Sequence, residues 1–183
     1  MKRFLFYAAC VLAGTLVNFS GSVFAQHIAL PLYLDSLLTF AVVALGGLWA
    51  GIACAVFTNV ALWIFCKMAL PFALCHILTA LAAHCTFRHC CQRGKPGGLS
   101  IDAFLWAGLW SAIANAVSGN GIVSLFVSPA VNPNISTSVQ GIFVAVPNLT
   151  FAVYFSGFLT NLTDKIISAA VSFSLYKGIT RLR

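Results

Sequence analysis

Long uncharged runs alternate with short basic clusters along this chain, and their lengths predict membrane-crossing helices. Phe4 to Ala25 carries no charge and has about the 20 residues needed to cross a hydrocarbon core of roughly 30 Å. Ser36 to Cys66 is also uncharged, but as one helix it would measure about 46 Å. Gly46-Gly47 and Gly51 interrupt it, so a tight helical hairpin fits better, with a second span over about 32–45 and a third over about 49–66. The fourth runs over about 68–87 and ends in a basic loop, 88–98, that holds Arg88, Arg93 and Lys95 among Gly94, Pro96, Gly97 and Gly98.

The fifth span begins near Asp102 and reaches about Ser118, where Gly119, Gly121, Pro129 and Pro133 are expected to interrupt a helix. No Lys, Arg, Asp or Glu occurs from Ala103 to Thr163. Counting back from Lys177, Arg181 and Arg183 starts the last span near Phe158, giving 158–178. Residues 119–157 form the outer loop region, and within it Gly141 to Gly157 is expected as an interfacial or partly inserted helix held against protein, because irregular backbone cannot face lipid.

Orientation chooses among these counts. With the hairpin and six spans, Lys2, Arg3, Arg88, Arg93, Lys95, Lys177, Arg181 and Arg183 all fall on one side, as the positive-inside rule asks. One crossing more puts the basic C-terminal residues outside; one fewer sends the 88–98 loop outside. The expected fold is therefore an all-α, six-transmembrane-helix bundle in the cell (inner or cytoplasmic) membrane, a single domain over 1–183, with both termini cytoplasmic. A signal peptide cut near Val23-Phe24-Ala25 competes for the first run, although that run is long enough to span.

Composition agrees: 61% of the 183 residues are hydrophobic and 7% charged, against roughly 25% charged in soluble domains. The net charge of +7 would suggest nucleic acid in a soluble protein; its clustering at loop ends makes it a topology signal instead. Seven cysteines, an odd number with no C-x-x-C pair, argue against a disulfide framework. His84-Cys85-Thr86-Phe87-Arg88-His89-Cys90-Cys91, with Cys75 and His76 upstream, is rich in soft ligands, but adjacent cysteines and flanking arginines disfavour a metal site. No phosphate loop, nucleophile-base set or zinc-protease helix occurs, so neither an enzyme nor a bound cofactor is expected.

Ionisable side chains within spans are costly and point to function. Asn161, Asp164, Lys165 and Ser168 fall at i, i+3, i+4 and i+7 and share a face continued by Ser172. Asp164 should lie about 20 Å above the cytoplasmic end of its helix. The plainer reading, mutual neutralisation of Asp164 and Lys165, weighs about as much. Asp35, in Leu30-Pro31-Leu32-Tyr33-Leu34-Asp35-Ser36, is expected in the first turn of the second span, where capping competes with ligand contact. Asn59, Asn115 and Asn120 add amides that otherwise serve as interhelical glue. Substrate-binding candidates are thus Asp35, Asn59, Asn115, Asn120, Asn161, Asp164 and Lys165. Ala9 and Ala13, and Gly47, Gly51 and Ala55, form small-residue strips that suit close helix approach, within the bundle or to a partner.

The Leu30–Ser36 run, Thr39, Gly47-Leu48-Trp49-Ala50-Gly51, Thr58-Asn59 and Asp164-Lys165-Ile166-Ile167-Ser168 resemble the S components of energy-coupling factor (ECF) transporters, in order and hydropathy over most of the chain. The resemblance implies a substrate-capture subunit of an ABC importer, which binds a vitamin or related small molecule on the outer side and docks on a membrane scaffold, the T component, driven by two ABC ATPases. It also implies that Ala9-x-x-x-Ala13 is the scaffold-facing strip. Metal-transporting relatives open Met-His where this chain has Met1-Lys2, and residues 119–157 match no motif of the family. A ligand-binding membrane sensor that does not transport is the main rival; a secondary transporter would need more carboxylates in its spans than Asp35 and Asp164.

Overall fold

The computed structural model describes residues 2–92, 98–126, 142 and 144–181. These form an all-helical bundle: α1 (Lys2–His27), α2 (Thr39–Phe65), a 3-10 turn (Lys67–Ala69), α3 (Ala73–Gln92), α4 (Ile101–Phe126) and α5 (Leu149–Arg181). Among the described residues, three helices have the length and composition to cross a membrane, over Arg3–His27, Thr39–Phe65 and Ile101–Val123. Neighbours in sequence pack as neighbours in space, and α5 closes the bundle against α4 and α2.

α2 is not a single rod. Gly47 takes φ 81° and ψ −174°, a left-handed conformation that suits glycine, and the helix breaks there. Beyond the break it folds back: a Cβ on Gly51 would collide with the side chain of Val43, and one on Gly14 of α1 would meet Val42 Cγ2 at 2.7 Å and Cys54 Sγ at 2.9 Å. In a straight helix Val42 and Cys54 would be about 18 Å apart. The reversal expected between Leu45 and Trp49 is therefore present, and Gly51 and Ala55 serve packing inside the bundle, whereas Ala9 and Ala13 are exposed.

Other boundaries differ from expectation. α2 begins at Thr39, not at Leu32; residues 30–38 form an irregular strap, so Asp35 lies before the helix and not in its first turn. α3 starts at Ala73 and runs to Gln92, beyond Phe87. α4 continues through Gly119 and Gly121 to Phe126, since within a packed apolar bundle the backbone has no water to bond and helix remains its best state. Residues 149–157, expected as part of a separate interfacial segment, are the first turns of α5. The 93–97 part of the basic loop, and 127–141 of the outer loop region with Pro129 and Pro133, lie outside the described residues.

The interior is sorted along the bundle axis. Where α3 ends and α4 begins it is apolar: Phe104 packs on Phe87, Phe173 and Tyr176 with ring centroids 4.7, 5.5 and 5.5 Å away. Beside the strap it is polar, with Asn18, Ser36, Thr39, Asn59, His76, Asp164 and Lys165 all buried. Outside, the pattern reverses: Trp49 is 79% exposed, Phe65 74% and Leu125 78%, while Lys165 is 2% exposed. Apolar outside and charged inside is the inverse of a soluble protein and suits a bundle solvated by lipid.

Candidate functional site

The strap is irregular backbone, and its polar groups are met by side chains from helices far away in sequence. Asn18 of α1 accepts the Leu38 N–H on Oδ1 (2.8 Å) and donates through Nδ2 to Thr39 Oγ1 (3.0 Å). Ser172 of α5 donates to the Leu37 carbonyl at 2.7 Å. Asp164 Oδ1 accepts the Leu34 N–H at 2.6 Å. Leu34 has φ 48°, unusual for a residue with a side chain, and this bond holds it there.

Lys165 completes the attachment. Its ammonium donates to Asp164 Oδ2 (2.8 Å), Asp35 Oδ1 (3.0 Å) and Ser36 Oγ (2.7 Å), so all three of its protons are used. Two carboxylates and one ammonium are thus gathered where α5 meets the strap. Asp164 and Lys165 are buried, whereas the Asp35 side chain keeps 20% exposure and is the member of the group open to the surroundings. Adjacent residues of one helix serve both ends of the contact because the i, i+3, i+4 stripe turns Asn161, Asp164, Lys165 and Ser168 inward together.

A second polar chain runs beside it. Asn59 Nδ2 donates to the Ala55 carbonyl and lies 2.9 Å from His76 Nδ1, and His76 Nε2 lies 2.7 Å from Thr39 Oγ1. With the Asn59 amide nitrogen donating, His76 Nδ1 is the acceptor and Nε2 carries the proton, so this imidazole is neutral. Asn115 donates to Thr79 Oγ1 at 2.9 Å, and its own Oδ1 is buried with no hydrogen-bond partner.

Of the sequence candidates, Asp35, Asp164 and Lys165 come together in one ion group. Asn161 lies on the same buried face but spends its amide on the Gly157 carbonyl. Asn59 belongs to the His76 chain and Asn115 to the Thr79 pair. Asn120 packs against Gly157, where an added Cβ would meet its Oδ1 at 2.7 Å. His76 and Asn18 do not stand out in the sequence as polar anchors: His76 stands beside Cys75 and reads as a soft metal ligand, and Asn18 is a single amide inside the apolar first run. Among the described residues no three His, Cys, Asp or Glu side chains are grouped to hold a metal ion. Cys85, His89 and Cys90 instead line an open groove of about 450 Å³ with Trp106 and Trp110. A second groove, about 380 Å³, runs between α1 and the strap and is lined by Leu16, Val17, Phe24, Leu34 and Leu37. Neither groove is lined by Asp35, Asp164 or Lys165.

No family model, curated protein or solved structure matches the chain.

Proposed function

We propose that the chain is the substrate-capture subunit of an ECF-type importer, a six-span bundle with both ends cytoplasmic that takes up a vitamin-like compound from the outer side. The observation that carries this reading is the meeting of its two most distinctive polar motifs: Asp35-Ser36 and Asp164-Lys165, about 130 residues apart, are joined by an ion pair where strap and last helix touch. A polar group beneath irregular backbone, near the middle of the last helix of an oily bundle, is the arrangement a capture site needs, since the strap is the element that must part to admit a ligand.

Several features favour six spans. The reversal at Gly47 gives α2 two antiparallel limbs, the first only about 12 Å long and continued by the strap, and Arg3, Arg88, Lys177 and Arg181 then share the end away from the strap. Lys67, at the strap end, is held over the Trp63 ring at 4.4 Å. α3 and α5 are less apolar than the other helices because of residues such as His76, Thr79, Asp164, Lys165 and Ser172, and these face inward. That leaves apolar side chains for lipid.

The outward Ala9-x-x-x-Ala13 strip is flat enough for a scaffold helix to approach closely. Purification of the chain under gentle conditions should bring down a second membrane protein and two ATPases. Ala9→Leu with Ala13→Leu should abolish that association and leave the melting temperature of the isolated bundle unchanged, because both positions are exposed. A parent bundle that purifies alone contradicts the importer reading and favours a sensor region.

A further inference from the structure

The ion group does not balance. It holds two carboxylates, Asp35 and Asp164, and among the described residues Lys165 is the cation paired with either. The neighbouring imidazole, His76, is occupied as a neutral hydrogen-bond link between Asn59 and Thr39. Lys67 lies over Trp63, and Arg3, Arg88, Lys177 and Arg181 belong to the other end of the bundle. Residues 103–163 contain no Lys, Arg or His, so no part of that stretch brings a positive charge. With both carboxylates ionised, one negative charge is left over in a region of low dielectric, where an unpaired ion is strongly disfavoured.

A second observation points to the same place. Ser168 is fully buried and its hydroxyl has no hydrogen-bond partner. It sits in the stripe between Lys165, which reaches Ser36, and Ser172, which reaches the Leu37 carbonyl. Ser168 therefore faces the strap as its two neighbours do, with donor and acceptor capacity unused beneath the ion group.

We propose that the captured compound is an organic cation carrying one positive charge on nitrogen, such as an ammonium, an amidinium or a cationic ring, and that this charge sits against Asp35. Asp35 is the least buried member of the group, and its carboxylate can meet a ligand while Lys165 stays bound to Asp164. This inference rests on the capture reading above and narrows its substrate to one charge class.

The test is thermal stabilisation of the full chain in lipid nanodiscs by compounds of different charge at constant ionic strength. Guanidinium, choline and thiamine serve as cations, riboflavin as the neutral probe, biotin and pantothenate as anions. At least one cation should raise the melting temperature at millimolar concentration or below while the neutral and anionic probes do not. Its affinity should fall at least tenfold in Asp35→Asn. That variant removes the surplus charge, so without ligand it should melt no lower than the parent, which separates lost binding from lost folding. Preference for a neutral or anionic probe, or unchanged cation affinity in Asp35→Asn, overturns the proposal. So does failure of every cation to bind, which would mean that a proton carries the missing charge. Association with ATPases is read separately: a cation-binding bundle that never joins them would keep this inference and lose the importer reading, and an importer subunit that prefers anions would do the reverse.

Discussion

Lys165→Met is expected to destabilise the bundle by about 3–5 kcal/mol, the cost of removing one partner from a buried ion pair. The effect is large because Lys165 stands between two carboxylates and touches both within 3.0 Å. Without it Asp35 and Asp164 face one another unneutralised, and the Ser36 hydroxyl loses its donor. Thermal unfolding in detergent should register a fall of roughly 10 °C for a chain of this size. Methionine keeps much of the side-chain length, so the loss is one of charge more than of packing. Adding Asp35→Asn and Asp164→Asn to the same variant should recover most of the stability, because replacing a whole buried ion group by neutral groups is far cheaper than breaking it. Equal melting of the single and triple variants would show that the charges are not in contact as described.

Gly108→Leu is expected to separate α4 from α5 at the level of the ion group. A Cβ on Gly108 would lie 2.9 Å from the Lys165 carbonyl oxygen and 3.2 Å from Ala169 Cβ. The first of these is backbone, so the clash is relieved by moving α5 and not by turning a side chain. Overpacking of this kind costs about 1–3 kcal/mol or more, and here the displaced residue is Lys165 itself. Gly178→Ala on α5 is the control: nothing lies within 4 Å of its added Cβ, and the better helix propensity of alanine should leave stability unchanged or raise it by up to about 1 kcal/mol. Equal melting of the two variants would contradict the close helix approach.

These two positions show how far the sequence carries. Lys165 was legible because an ionisable pair in an apolar run is conspicuous, and its spacing with Asn161 and Ser168 places it on one face. The pairing with Asp35 was legible only as convergence toward one end of the bundle; the strap that makes it was not. Asp35 reads as the first turn of a helix because Pro31 and the apolar run after it have the grammar of a helix start. The strap remains irregular because Asn18, Asp164 and Ser172, all remote in sequence, satisfy its backbone, and local pattern carries no trace of such partners. Glycine misled in one place and not in another. Gly119 and Gly121 do not stop α4, since helix-breaking weakens where water is absent. Gly47 does break α2, because the two limbs it joins pack on each other through Val43 and Gly51. Gly108 gave no signal beyond its residue type, since only the path of α5 makes its missing side chain matter.

The polar chain through Asn18, Thr39, His76 and Asn59 has a structural consequence for the same site. It ties α1, both limbs of α2 and α3 together just beneath the strap. Were the strap to part from α5 at the Asp35–Lys165 contact, these bonds would hold its Thr39 end in place.

On the capture reading this ion group is a ligand site and not only a fastening. Mass spectrometry of the small molecules retained by the chain, purified natively in its own lipid and compared with Asp35→Asn prepared identically, tests it most directly. One compound should be held by the parent and be absent from the folded variant. A compound held equally by both proteins, or by neither, would contradict it.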